Sequence, residues 1–274
     1  MNTQSHTASS RMRTAAFAPI GDEGRTESVV TRLVQAISTG ALIDGERLPS
    51  ETELSQLFGV AVVTVREALG RLRTRGLIET QRGRSGGSFV RSSVGTVEEF
   101  NARALMRMPR LALADLGVLY TVISSACAEY ACRRATPEEL DIVRRVLIDA
   151  RELPANAWRR RITDVQLELA ALSQSVRLTS EHVRVQTELT PFLALQDGDI
   201  AQRHLAHDAL LAQVDATVAG DEAEARRIVQ SSVRSAVSWL GAFRAEVRAA
   251  TVHDQNADLT LVLAQRGAKV QESS

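Results

Sequence analysis

The chain has 274 residues, 33 basic and 33 acidic, and is 44% hydrophobic and 4% aromatic. At about 100–200 residues per domain this length suggests one or two domains, and six prolines and sixteen glycines are too few for a collagenous or low-complexity chain. Two cysteines, Cys127 and Cys132, cannot build a disulfide framework or a thiolate metal site, no apolar run approaches the ~18 residues of a membrane span, and the polar N-terminus has no secretory apolar core.

The expectation is a soluble cytoplasmic protein with no membrane partner. Its zero net charge hides a division: residues 1–93 carry twelve Arg against nine acids, and residues 94–274 carry twenty-one Lys and Arg against twenty-four acids. Residues 66–91 alone hold seven arginines against Glu67 and Glu79. That local excess points to one anionic partner at one place, weighed against the plainer reading of a solvated helix face.

Residues 1–24 are polar without a sustained period and read as a flexible arm. From 28 the spacing of Val30, Leu33, Val34 and Ile37 predicts a helix that stops at Gly40, and Asp44-Gly45 predicts a turn. Ser50 with Glu53 three residues on is a capping box, opening a helix that should bury Leu54, Leu57 and Phe58. Gly59-Val60 interrupts it. A second helix follows, with Val65, Ala68, Leu69 and Leu72 inward, ending at Gly76. Two short helices joined by a tight glycine-containing turn are a helix-turn-helix.

At 100° per residue, that inward stripe leaves Val63, Glu67, Gly70 and Thr74 pointing outward, with Thr64, Arg66 and Arg71 flanking them. A helix that enters a major groove N-terminus first needs such a face. Leu77–Thr80 and Ser88–Arg91 read as strands around Arg82-Gly83-Arg84-Ser85-Gly86-Gly87, a basic glycine-rich hairpin tip that can approach a phosphate or the minor groove. Helix-turn-helix plus hairpin is a winged helix.

From about 96 onward only helix signals repeat. Asp115 can cap a helix running to about Arg134, and Thr136-Pro137-Glu138-Glu139 combines a cap, a proline at the first helical position and a capping-box glutamate. Asp197-Gly198 breaks two helices, and Asp221 with Glu224 opens another. The fold expected is mainly α: an N-terminal winged helix-turn-helix of three helices plus a β-hairpin over 25–93, then an all-α bundle of six or seven helices over 96–250, then a poorly ordered tail over 251–274. Trp158-Arg159-Arg160-Arg161 is read as a charge run snorkelling along a surface helix. Cys127 and Cys132 are read as small core residues, and Trp239 as packing against the bundle or a partner copy.

Leu48-Pro49-Ser50-Glu51, Gly59-Val60, Thr64–Leu69, Gly76-Leu77-Ile78 and Gly86–Val90 resemble, in order and spacing, the winged-helix domain of the GntR family. The helical remainder resembles the FCD domain of its FadR-like branch, through Arg133–Leu140, Asp164 and Gly220-Asp221. The resemblance implies a homodimeric bacterial transcription regulator, a repressor rather than an activator, that reads a palindromic duplex and responds to a small metabolite. Organic acids are the effector class it implies first, and fatty acyl compounds second.

Relatives commonly carry an arginine where this chain has Thr52, and Ser-Arg-Thr where it has Ala61-Val62-Val63. The residues expected at DNA are therefore Ser50, Thr52, Val62, Val63, Thr64, Arg66, Arg71, Arg75, Arg82, Arg84, Ser85 and Gly86. Many FCD domains hold a metal through an Asp, a His four residues later and two later histidines. Here Asp164 is followed by Glu168, the third position falls on Leu210 or His207 and the last on Ser232.

Asp164 and Glu168 share one helix face, and His204 and His207 another. The preferred expectation is an effector site of Asp164, Glu168, His207 and Ser232 with no cofactor required. The alternative is a divalent metal on Asp164, Glu168 and His207. The same residues keep open a metal-dependent helical-bundle enzyme. Against it, the chain lacks paired Glu-x-x-His motifs, a nucleophile elbow, a P-loop and a dinucleotide fingerprint. The expectation is not an enzyme.

Overall fold

The computed structural model describes Phe17 and residues 24–83, 86–91 and 94–253. Most of the expected arm and of the expected C-terminal tail lies outside the described residues. The chain divides into two compact units, Met1–Phe100 and Asn101–Ser274.

In the first unit, α1 (Arg25–Ser38) buries Val29, Val30, Leu33, Val34 and Ile37. The Ser50 cap works as the sequence predicts: the Glu53 N–H donates to Ser50 Oγ at 3.2 Å and the Ser50 N–H donates to Glu53 Oε2 at 2.7 Å. This opens α2 (Glu51–Phe58), which ends at Gly59 in the left-handed region, φ 67°. Leu54 and Phe58 are buried, but Leu57 is 42% exposed, against expectation. An eight-residue helix has one inward stripe, and Leu54 and Phe58, four apart, fill it. Phe17 is buried against Phe58, with ring centroids 5.8 Å apart.

Next comes α3 (Val62–Thr74), burying Val65, Ala68, Leu69 and Leu72. Its end is a Schellman motif: Gly76, at φ 70°, donates its N–H to Arg73 O and Leu77 donates to Leu72 O, both at 3.0 Å. Leu77 therefore closes the helix instead of starting the strand, and β1 (Ile78–Gln81) begins one residue later than expected. It pairs antiparallel with β2 (Gly87–Val90), with Ile78 opposite Val90 and Gln81 opposite Gly87.

The helix α4 (Val94–Arg107) carries the boundary between the units. Beyond it come α5 (Arg110–Arg134), α6 (Pro137–Ala150), α7 (Ala155–Leu172), α8 (Val176–Leu193), α9 (Ile200–Val218) and α10 (Glu222–His253), with a 3-10 turn at Ala194–Gln196. Asp115 does not cap α5 but lies within it. The helix starts earlier, behind Pro109, whose carbonyl accepts from the Leu113 N–H at 3.1 Å. Proline suits that place because its fixed φ and missing N–H cost nothing at a helix start. Thr136 and Glu139 form their capping box, and Asp221 accepts from the Glu224 N–H at 2.9 Å.

α5 is the central helix and packs on α7, α8, α9 and α10. Its length and composition would suit a membrane crossing, against the expectation that no segment does. It packs instead as a core helix, burying Leu113, Leu116, Tyr120 and Ala128. Trp158 and Arg159 are not on the surface. Arg159, 6% exposed, donates from Nε to Asp197 Oδ2 at 2.7 Å, pairs through Nη2 with Asp197 Oδ1, and reaches Leu193 O at 3.2 Å. Asp197, read as a helix breaker, is the counter-ion that draws this arginine inward. Cys127 is buried and Cys132 half-buried, both as free thiols. Trp239 stacks on Phe243 with ring centroids 5.3 Å apart.

Candidate nucleic-acid interface and helical-domain cavity

Because α3 buries one stripe, its opposite face is open. Val63 is 68% exposed, Glu67 and Thr74 are exposed, and Val62, Thr64 and Gly70 are half-buried. Arg66 pairs with Glu51 at 2.9 Å, and Arg71 pairs with Glu27 at 3.0 Å and Glu67 at 2.7 Å. These pairs are solvent-exposed and worth little, and a guanidinium with five N–H donors keeps some for another acceptor. Arg75 lies over the Phe100 ring, 5.2 Å from its centroid. Ser50 caps α2 through its oxygen and retains its hydroxyl proton, while Thr52 is exposed.

At the hairpin tip Arg82 is exposed. Arg84 and Ser85 lie outside the described residues. Arg47, which sequence reasoning missed, braces the tip: its Nη2 donates to Gly86 O at 2.8 Å. A Cβ on Gly87 would fall 2.8 Å from Arg47 Nε, and one on Gly86 would fall 2.5 Å from Gln81 O, so neither position admits a side chain without a shift. No local pattern marks Arg47, because its partner is 39 residues away. Across the hairpin base Arg91 pairs with Glu79 at 2.7 Å, holding the Glu79 carboxyl below its ordinary range.

The helical unit holds a cavity of about 50 Å³ between five helices. Its polar walls come from Tyr120 and Ser124 of α5, Gln166 of α7, His182 of α8, Gln213 of α9 and Ser232 of α10. His182 is enclosed: Ser124 Oγ is 3.3 Å from its Nδ1 and the Tyr120 ring centroid is 5.6 Å away. Among the described residues its Nε2, and Oε1 of Gln186 one turn along, have no partner at hydrogen-bond geometry. Burial pushes His182 down to about 4, with Gln186 the smaller opposing influence. Burial likewise pushes Tyr120 and Cys127, also in the lining, up to about 12.

Of the four residues expected at an effector site, Ser232 lines this cavity, while Asp164, Glu168 and His207 do not. His207 is buried elsewhere in the unit, its Nδ1 accepting from Trp158 Nε1 at 3.4 Å. Asp164 is half-buried, and burial pushes it up to about 6 against the pull of Arg161 and Arg160. Among the described residues no group of three or more His, Cys, Asp or Glu is placed to hold a metal ion. His207 Nδ1 accepts from the indole, which puts the proton of the neutral ring on Nε2, so His207 in this arrangement offers no free lone pair to the metal that the FCD resemblance implies. His182, the cavity's central group, has no motif around it in the sequence; only the packing of α8 on α5 reveals it.

A helix-turn-helix with a braced basic hairpin, followed by a separate helical unit, defines a protein of the winged-helix class with a second, all-α domain. Residues 25–90 match the bacterial regulatory proteins of the gntR family and residues 115–235 match the FCD domain. The chain belongs to the GntR family, in its FCD-bearing form.

The HTH-type transcriptional regulator RmpR of Mycobacterium gastri is 37% identical over 169 residues, 60% of this chain and 60% of that one. The transcriptional repressor NanR of Escherichia coli K12 is 28% identical over 231 residues, 82% of this chain and 88% of that one. The match thus spans 60% of the length of RmpR. The solved structure of E. coli McbR/YncC covers 80% of this chain and 98% of that one at 17% identity and a TM-score of 0.48.

Proposed function

We propose that this chain is a transcription regulator, acting as a repressor, that binds a palindromic duplex operator as a cytoplasmic homodimer. A small effector held in the helical unit changes its operator affinity, and no metal or other cofactor takes part. The observation that carries this reading is the open first turn of α3, with Val63 68% exposed. Arg66 and Arg71 flank it, and a basic hairpin tip follows in the same unit.

In this reading Val62, Val63 and Thr64 face base edges. Ser50, Thr52, Arg66, Arg71, Arg75 and the tip residues Arg82, Arg84, Ser85 and Gly86 touch phosphates. The effector site is the cavity walled by Ser232 and His182, in place of the set Asp164, Glu168 and His207. An effector there acts through its different affinities for the DNA-competent and DNA-incompetent states. The repressor reading has the support of NanR, a named repressor 28% identical to this chain.

The test is electrostatic. Genome-wide footprinting supplies the operator, and the Arg82→Ala, Arg84→Ala double variant is then titrated against it across salt concentrations. Binding should weaken for any duplex, and the salt slope should flatten by about 0.9 for each phosphate that the variant no longer neutralises. An unchanged slope in the folded double variant would remove the hairpin from the interface.

A further inference from the structure

We infer that the effector of this cavity is a short, uncharged polyol and not a carboxylate or a phosphate ester; this rests on the reading of the cavity as the effector site. The described residues that line it include no Arg, Lys, Asp or Glu. An anion entering would leave water and meet no counter-charge from these walls, the most costly form of burial.

Three ionisable side chains in the wall report the same environment from both sides. A positive potential would lower all three, and a negative one would raise all three. Instead the base, His182, is held down while the acids Tyr120 and Cys127 are held up, each towards its neutral form. Desolvation is the first cause for each and disfavours charge of either sign; Arg159, itself paired with Asp197, exerts a smaller pull on Tyr120.

The polar groups then decide the class. Two hydroxyls from Ser124 and Ser232, the phenol of Tyr120, the amides of Gln166 and Gln213, and the imidazole of His182 crowd one small space. Gln166 already accepts from Gln186 Nε2 at 2.8 Å, which leaves its own amide N–H groups to donate. His182 meets Ser124 Oγ at its Nδ1 and is influenced by Gln186, so its ring adds one more polar group to this wall. A hydroxyl both donates and accepts, so a ligand bearing several suits this mixture in a way a purely accepting oxyanion does not. A cavity of about 50 Å³ has room for roughly three to five water-sized groups, which is the scale of a two- or three-carbon polyol.

Glycerol and glycerate share a carbon skeleton and differ by one hydroxymethyl against one carboxylate, so they make the probe pair. The full-length protein is titrated with each at matched concentration and neutral pH, following the His182 ring nitrogens by NMR and operator affinity in parallel. Glycerol should shift the His182 signals saturably, and glycerate should bind more weakly by at least about tenfold. The glycerol shift should vanish in Gln213→Leu, which changes a partly exposed wall residue, and the glycerol effect on operator affinity should vanish in that variant and in His182→Phe. Glycerate binding as tightly as glycerol, or no response to either, overturns the inference. If glycerate binds and shifts operator affinity, the polyol class fails and the effector reading stands. If glycerol binds with no change in operator affinity, the class stands and the effector reading fails.

Discussion

Buried His182 and half-buried Asp164 are ionisable groups whose effects on stability run in opposite directions over one pH window. The His182 ring falls from its ordinary 6.5 to about 4, so between those values the unfolded chain takes a proton that the folded chain refuses. Its contribution is full above 6.5 and lost as the pH falls towards 4. Asp164 rises from 3.8 to about 6, so the folded chain there holds a proton that the unfolded chain releases. Its contribution is lost as the pH rises through the same range. At about 1.4 kcal/mol per pKa unit each effect is of order 3 kcal/mol, and together they largely cancel. Asp164→Asn should therefore expose the His182 slope, with stability dropping more steeply than in the parent below 6.5. His182→Gln should expose the opposite slope, with stability dropping as the pH rises towards 6. Urea unfolding across pH reads both, and parallel curves for parent and variants would refute the pairing. Neither shift was legible in the sequence, because the first cause of both is burial, which only the packing decides. The arginine excess over 66–91 was legible as a count, but the fold supplies Arg66 with Glu51 and Arg71 with Glu27, acids that lie outside that window.

Elements whose signal is local were read almost to the residue. The capping boxes at Ser50 and Thr136, the stripe of α3 and the glycine stops at 59 and 76 each depend on neighbours within one or two turns. One reading failed because distant chemistry overrode local pattern: Arg159 followed Asp197 into the core, 38 residues away. On α3, periodicity left Val63 outward, and it is outward. Valine cannot make the paired hydrogen bonds by which arginine reads guanine, but its methyls can pack on the C5-methyl of thymine. Half-sites should therefore prefer T·A opposite Val63, and replacing that thymine by uracil should weaken binding by about 0.8 kcal/mol, the worth of one buried methyl. Val63→Arg should move the preference towards guanine at that base pair, with the grip on phosphates retained. Equal affinity for thymine and uracil operators, with unchanged preference in Val63→Arg, would mean that Val63 faces the groove without touching a base.

At the scale of the whole molecule, α5 needs a cover. It is the central helix of its unit, yet Leu111 is 82%, Val118 63% and Val122 59% exposed. Positions 111, 118 and 122 fall on one stripe, seven and four residues apart. A membrane would have to strip the other side of the helix from its neighbours, exposing Leu113, Leu116, Tyr120 and Ala128, all now in the core. A second copy of the chain would instead cover the stripe with the core left intact, and it would match the two-fold symmetry of the operator proposed above. Glutamate at both Val118 and Val122 would put charge into that interface without touching the buried face. The Val118→Glu, Val122→Glu protein should sediment as a monomer with its helix content retained. Its affinity for the full operator should fall by about 10²–10⁴, the advantage of linking two half-sites, while its affinity for an isolated half-site stays at the parent's level. A double variant that remains dimeric would move the interface to another surface, and a monomer that keeps full operator affinity would show that the half-sites are not bound as a linked pair.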